Sequence, residues 1–137
     1  MKISIETTVK ATLQQVWHAW TNPEDIIQWN FAIDTWCCPR AQNQLVVGQG
    51  FNYRMEAKDG SMGFDFVGTY TQVELHKVIQ YTLGDDREVR VEFLPTEQGV
   101  KLVETFETED ENSAEQQRQG WQGILDNFKA HVEKQHS

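Results

Sequence analysis

The chain has 137 residues, a formal net charge of −9 and 39% hydrophobic residues. These values are typical of one globular domain with a buried core, so we expect residues 1–137 to form a single domain. The acidic surface disfavours nucleic-acid binding, because phosphate backbones repel it. No apolar run approaches the ~18 residues that a membrane-spanning helix needs, and the N-terminus lacks the apolar core of a signal peptide. The sequence therefore predicts a cytoplasmic protein with no nucleic-acid partner and no membrane insertion.

The first thirty residues predict a strand followed by two short helices. Residues Lys2–Val9 alternate apolar and polar side chains, which is typical of a strand with one solvated face. Thr12 and Gln15 have the spacing of a capping box, and apolar residues at helical spacing follow them. A second helix is predicted from Pro23, because proline suits the first helical position and Asn22 can cap it.

The middle of the chain predicts an antiparallel meander. Residues 51–58 alternate clearly, and Asp59-Gly60 is a hairpin signal before the returning strand. The apolar parity of that returning strand changes after Gly68, which predicts a β-bulge there. Three more strand-like runs follow, with the sequences VIQYTL, REVRVEFLP and GVKLVETFE. Consecutive strands at hairpin spacing indicate a strongly curved sheet.

The last segment predicts a long amphipathic helix. Ser113 and Gln116 form a second capping-box pattern. One helix face collects Ala114, Gln117, Trp121, Ile124, Leu125, Phe128 and Val132. Gly120 and Gly123 each cost about 1 kcal/mol relative to alanine, so they predict a close approach or a bend beside Trp121. The predicted fold is α+β: a curved antiparallel sheet of about six to seven strands around a long C-terminal helix.

A sheet that curves around one helix favours a concave interior, although a filled aromatic core is the alternative. Aromatic side chains with polar tips suit the wall of a ligand pocket. The residues predicted to face inward are Phe51, Tyr53, Met55, Met62, Phe64, Phe66, Tyr81 and Phe93 from the strands, and Trp121, Leu125 and Phe128 from the helix. Of these, the predicted ligand-binding residues are Phe51, Tyr53, Met55, Phe64, Phe66, Tyr81, Trp121 and Leu125. Gln117 and Arg118 near the helix start either bind the polar end of a ligand or meet water.

No catalytic residue can be assigned, because GxSxG, GxGxxG, HExxH and phosphate-loop motifs are missing. Two orientations are possible for the Glu104 side chain. If Leu102 and Phe106 face inward, it is a buried carboxyl that needs a partner; if Val103 and Thr105 face inward, it is a surface acid.

The stretch IDTWCCPRAQN contains Cys37 and Cys38, the only cysteines of the chain. Adjacent cysteines rarely bridge each other because the ring is strained. The four histidines show no zinc-ligand spacing, so no metal and no cofactor are expected. Arg40 is near, but no histidine is, which favours a structural role over a nucleophilic thiol. Pro39 and the lack of periodicity predict a loop from Trp36 to Asn43.

Three segments together resemble a known family. They are VWHAWTNPEDIIQWN early, VGQGFNYRMEAKDGSMGFDFVGTY in the middle and GWQGILDNF at the end. With the order of elements, they resemble the START-related helix-grip (SRPBCC) superfamily, in the branch related to the ATPase activator of the ninety-kilodalton heat-shock chaperone and to polyketide-cyclase-like proteins. The likeness covers nearly the whole chain. Gly48-Gln49-Gly50 departs from it, since such proteins usually have Gly-Gly followed by a basic residue.

The resemblance implies a fold and a cavity between sheet and helix more than a reaction. It places the Trp36–Arg40 loop near the cavity mouth, so Trp36 joins the predicted ligand-binding residues and Cys37 and Cys38 lie at the rim. The first function it implies is binding of a small apolar or aromatic ligand. The alternatives are a cyclase- or hydrolase-type enzyme for a polyketide-like substrate, using Glu104, Tyr53 or Arg118, and a chaperone-interacting module. An exposed strand edge or the outer helix face is compatible with a homodimer.

Overall fold

The computed structural model describes residues 1–136. In chain order its elements are β1 (Lys2–Val9), α1 (Leu13–Thr21), α2 (Pro23–Trp29), β2 (Trp36–Asn43), β3 (Gly50–Ala57), β4 (Gly63–Glu74), β5 (Val78–Leu83), β6 (Glu88–Thr96), β7 (Gly99–Glu107) and α3 (Ala114–Gln135). Within this part of the chain, no helix combines the length and the apolar character that crossing a membrane requires.

All seven strands belong to one antiparallel sheet in the order β1-β7-β6-β5-β4-β3-β2. The sheet curls into a half-barrel, and α3 lies against its inner face while α1 and α2 follow the first strand. The predicted α+β architecture is confirmed. Strict alternation along β7 buries every second side chain, from Val100 through Leu102 and Glu104 to Phe106. This alternation decides the orientation of Glu104, which lies on the inner face.

The helix boundaries follow from the local sequence. The capping boxes at Thr12 and Ser113 are both present, with side chain and backbone bonded reciprocally to the glutamine three residues later. A Cβ at Gly123 would lie 2.9 Å from the carbonyl oxygen of Ala32, so glycine allows α3 to pass close to the segment before β2. The predicted close approach beside Trp121 therefore occurs at Gly123.

Two predictions of local structure are wrong. Trp36–Asn43 is a strand and not a loop; it is β2, the edge of the sheet, and it pairs only with β3. Its register shifts between Cys37 and Arg40, and Pro39 occupies this irregularity, where an edge strand tolerates a residue without an N–H. The irregularity of β4 lies between Tyr70 and Gln72, not at Gly68.

Candidate functional site

A cavity of about 750 Å³ lies between the inner face of the sheet and α3. Its wall includes eight of the ligand-binding residues predicted from the sequence: Phe51, Tyr53, Met55, Phe64, Phe66, Tyr81, Gln117 and Trp121. The fold thus brings together side chains from β3, β4, β5 and α3 that are far apart in the chain. Most of the wall is aromatic or aliphatic.

Three of the predicted ligand-binding residues lie outside the wall. Trp36 is half-buried on the edge strand and contacts Phe64, with ring centroids 6.0 Å apart. Arg118 is exposed, because it lies beyond the inward arc of α3. Leu125 is fully buried in the packed core one turn after Trp121, where sheet and helix meet without a gap.

The strand side of the cavity is an aromatic layer centred on Phe51. Its ring stacks on Tyr53 at 4.5 Å and meets Tyr81 edge-on at 4.8 Å. Gly68 is paired with Phe51 across the sheet, and a Cβ there would lie 2.5 Å from the Phe51 ring. Glycine at position 68 therefore makes room for the ring, which explains this residue without the bulge predicted there.

The end of the cavity near α1 and α2 is formed by two tryptophans that sequence reasoning did not place in the site. Trp20 and Trp29 stack with centroids 5.0 Å apart, and both meet Phe128 edge-on at 4.9 Å. The Trp29 Nε1–H donates to the Ala19 carbonyl at 3.0 Å, so its polar atom is satisfied inside the protein. Trp20 follows Leu13, Val16 and Trp17 at helical spacing, but this pattern could not show that its ring reaches a cavity.

Two phenols form a hydrogen-bonded group in the wall. The side chains of Tyr53 and Tyr70 bond to each other and to Asn43. Burial raises the pKa of both tyrosines, so both remain neutral hydroxyls at ordinary pH. Asn43 also donates its Nδ2–H to the Thr21 carbonyl at 2.8 Å, which connects the group to the end of α1.

Gln117 lines the cavity, but its amide is already used. Its Nε2–H donates to the carbonyls of Glu109 and Asn112 at 3.1 and 2.8 Å. Its Oε1 accepts from the Glu109 backbone N–H at 2.9 Å. The side chain thus fixes the segment between β7 and α3, whose residues Glu109, Glu111 and Asn112 also line the cavity.

Glu104 is the one buried acid in the cavity wall, with 4% of its surface exposed. Burial raises its pKa to about 8. Among residues 1–136, no side chain forms a hydrogen bond or a salt bridge with it. Since no fully occluded polar side-chain atom in that range lacks a partner, the unpaired carboxyl oxygens face the cavity.

The two cysteines are both free thiols, with Cys37 half-buried and Cys38 buried. The Cys38 Sγ–H donates to the Arg40 carbonyl at 3.4 Å, and burial raises the pKa of this thiol. Within the described part of the chain, no cluster of three or more His, Cys, Asp or Glu side chains is arranged to hold a metal ion.

Many protein families share a helix-grip architecture with an apolar cavity, and the sequence shows which of these families the chain matches. Residues 10–133 match the model of one family, described as Activator of Hsp90 ATPase homolog 1-like protein. The chain belongs to this AHSA1 family. The family lies within the SRPBCC helix-grip superfamily, so the resemblance inferred from the sequence is confirmed.

A solved AHSA1-like structure supports the assignment. The chain is similar to the AHSA1-like protein from Aeromonas hydrophila, with 45% identity, a TM-score of 0.93, and 99% of this chain and 94% of that chain covered. A protein from Cytophaga hutchinsonii also has 45% identity, with a TM-score of 0.84 and coverage of 98% and 93%. A protein from Nitrosomonas europaea, at 15% identity and a TM-score of 0.84 over 99% and 96%, shares the fold. Comparison with curated proteins finds no significant match.

Proposed function

We propose that this AHSA1-family protein binds a small apolar or aromatic ligand in the cavity between the sheet and α3. The observation that carries the proposal is the cavity itself: about 750 Å³ of space walled mainly by aromatic and aliphatic side chains. Ligand pockets of known proteins span about 300–1,000 Å³ and are also mainly apolar with a few polar groups. A ligand that fills this space removes apolar surface from water, and this burial stabilises the complex by about 25 cal/mol per Å².

Contacts within the protein hold the wall side chains in place, which supports binding over simple imperfect packing. Trp121 is stacked on Phe106, and the Tyr53 and Tyr70 hydroxyls are bonded. Gln117 holds the segment between β7 and α3 with three hydrogen bonds. A preorganised wall lowers the entropy cost of binding.

Gly120 offers a way to block the cavity. It lines the wall, and a Cβ at this position would meet no atom within 4 Å. We expect Gly120→Trp to occupy the space that a ligand would use. Gln119→Trp is the matched control, because it adds the same side chain one position away on the exposed face of α3.

The test is native mass spectrometry of the protein purified gently, compared with the same sample under denaturing conditions. We expect an extra mass that disappears on denaturation, that Gly120→Trp removes and that Gln119→Trp retains. An extra mass that persists in Gly120→Trp would place the ligand elsewhere. Apo protein throughout, together with no affinity for naphthalene-based apolar probes, would refute the proposed function.

Glu104 favours turnover of a cyclic substrate as a second candidate function. It is an ionisable group with a pKa of about 8 in an apolar cavity, which suits proton transfer near neutral pH. Of the other two residues predicted for catalysis, Tyr53 lies in the wall, whereas Arg118 is exposed outside it. Conversion of a bound compound that stops in Glu104→Gln, while binding persists, would establish this function.

A further inference from the structure

Glu104 is the least explained polar group of the cavity. Its neighbours across the sheet are Ile5 on β1 and Val91 on β6, and its neighbours along the inner face of β7 are Leu102 and Phe106. All four are apolar, so the adjacent positions of the sheet provide no partner. Leaving a buried carboxyl without a hydrogen bond is costly, and native proteins seldom retain such a group without a use for it.

A second polar group without a hydrogen bond lies on the same inner face. Tyr81 on β5 lines the cavity, and its hydroxyl forms no hydrogen bond with any of residues 1–136. Burial and then the nearby Glu104 carboxyl raise the pKa of Tyr81 well above its ordinary value. Both residues line the same cavity from the inner face of the sheet, where β6 separates β5 from β7, and each brings an O–H group to one apolar space.

Resting on the proposed function, we propose that the Glu104 carboxyl and the Tyr81 hydroxyl together donate hydrogen bonds to an oxygen acceptor, such as a ketone carbonyl, on a ring-bearing apolar ligand. A carboxylic acid that is kept neutral by an apolar site is a strong hydrogen-bond donor, and such an acid paired with a tyrosine binds a ligand oxygen in other proteins. The aromatic wall would bind the rings, and the two donors would fix the orientation of the oxygen.

The charges around Glu104 indicate whether this residue would bind an oxygen acceptor or a cationic amine of the ligand. No Lys, Arg or His side chain in the described chain pairs with Glu104, so no positive charge stabilises its ionised form. The other titratable or charged groups along the cavity wall are Tyr53 and Tyr70 on the sheet, Arg87 before β6, and Glu109 and Glu111 after β7. Arg87 is paired with Asp85 at 2.7 Å, and α3 contributes only neutral residues to the wall. The favoured form of Glu104 is therefore the neutral donor.

Three probes with one ring system separate these chemistries. They are 2-acetylnaphthalene, which has a carbonyl oxygen; 2-isopropylnaphthalene, which has the same shape without a polar group; and 1-(2-naphthyl)ethylamine, which is a cation near neutral pH. Affinities are measured by calorimetry at pH 6 and pH 9.5 for the unaltered protein and for Glu104→Gln, Glu104→Leu and Tyr81→Phe. Thermal unfolding shows that each variant is folded.

We expect the ketone to bind about tenfold more tightly than the hydrocarbon at pH 6, the size of one well-made hydrogen bond. The preference should shrink at pH 9.5, where the carboxyl ionises. Glu104→Gln retains an N–H donor, so it should keep the preference and remove its pH dependence. Glu104→Leu and Tyr81→Phe should each reduce the preference for the ketone over the hydrocarbon, because each removes one of the two donors.

Other outcomes are distinguishable. Equal affinities for ketone and hydrocarbon would overturn the inference and leave the proposed function standing. Preference for the amine, abolished by Glu104→Gln, would overturn it by showing that Glu104 acts as an anion. Failure of all three probes to bind would overturn the inference, and together with apo protein in the mass spectra it would refute the proposed function as well.

Discussion

Trp121 on α3 lies flat on Phe106 of β7, with ring centroids 4.4 Å apart and ring planes within 7° of each other. Trp121 also meets Phe66 of β4 at 6.2 Å, so one side chain contacts two strands that are three places apart in the sheet. This contact joins the helix to the sheet and forms part of the cavity wall at the same time. Stability and ligand binding are therefore expected to depend on the same ring.

Replacing Trp121 with alanine should lower the free energy of unfolding by about 3 kcal/mol, since a large ring and its stacking are lost. The same change should weaken binding of 2-acetylnaphthalene at least tenfold, because part of the wall disappears. Trp121→Phe should retain most of both properties. Urea denaturation and calorimetry measure the two effects.

Trp36→Ala is the matched control for Trp121→Ala. It removes the same ring from the edge strand, outside the cavity wall. Its effect on probe affinity should be less than twofold. An equally large loss of affinity in Trp36→Ala would show that binding does not depend on the cavity wall.

The sequence predicted the helix-grip architecture because every element except Trp36–Asn43 has its own local signal. The capping boxes at Thr12 and Ser113 and the alternation after Gly50 indicate elements without any knowledge of the tertiary structure. Strand Trp36–Asn43 was missed because its proline and bulge remove the alternation that identifies a strand. Only pairing with β3 at the sheet edge makes this segment a strand.

The cavity wall was predicted less completely than the fold. The periodicity of a strand or helix predicts which face a residue lies on, but not whether its side chain reaches the cavity. Alternation left two orientations open for Glu104, since Leu102 and Val103 are both apolar; sheet pairing on both sides of β7 selects one. Leu125 shares the inward helix face with Trp121, yet it contacts the packed core and not the cavity. The boundary between core and cavity depends on how far α3 lies from each strand, which no local pattern encodes.

Asp25 ties the second helix to the last one. Its carboxylate accepts hydrogen bonds from Gln135 at 2.9 Å and Asn22 at 3.0 Å, and its Oδ1 lies 2.9 Å from Nε2 of His131. Burial alone would raise the pKa of Asp25, but these hydrogen bonds outweigh it and hold the pKa below its ordinary value. A depressed acid pKa stabilises the folded state above the unfolded pKa of about 3.9, and this contribution is lost as pH falls through the folded pKa.

We therefore expect Asp25→Ala to lower the free energy of unfolding by about 3 kcal/mol at pH 7, because it breaks a buried, hydrogen-bonded group. The difference in free energy of unfolding between Asp25→Ala and the unaltered protein, which we call the deficit, should shrink below about pH 3.9. Urea denaturation at pH 7 and at pH 3 measures it. His18→Ala is the control, since His18 is 71% exposed and 3.7 Å from Asp25; its effect should stay within about 0.5 kcal/mol. A deficit of the same size at both pH values would contradict the linkage.

Glu104 should produce the opposite pH dependence. Its folded pKa of about 8 lies above the ordinary value of 4.5, so between these values the folded state holds a proton that the unfolded state has lost. The free energy of unfolding should then fall with rising pH, by about 1.4 kcal/mol per pH unit from this group. The comparison of the unaltered protein with Glu104→Gln between pH 5 and pH 8 isolates this contribution.

Glu88→Gln on the neighbouring strand is the control for Glu104→Gln, because Glu88 is exposed. Its pH profile should follow that of the unaltered protein. Parallel profiles for all three proteins would mean that Glu104 is ionised in the folded state, and the donor role inferred for it would fail as well.

The adjacent thiols of Cys37 and Cys38 should react at very different rates. Side chains alternate along a strand, so β2 turns Cys38 inward, where it is 2% exposed, and leaves Cys37 half-buried. Burial raises the pKa of Cys38, which lowers the fraction of reactive thiolate. With a chromogenic disulfide reagent at pH 8, one thiol per chain should react within minutes and the second only at the rate of unfolding.

Single variants assign the two phases. Cys37→Ser should remove the fast phase, and Cys38→Ala should leave it intact while removing the slow one. Bound 2-acetylnaphthalene should not protect Cys37, because neither cysteine lines the cavity. Two fast thiols would mean that β2 detaches readily from β3, because Cys38 can reach solvent only if the edge strand opens. The rate of the slow thiol reaction therefore also measures how often this edge of the sheet opens.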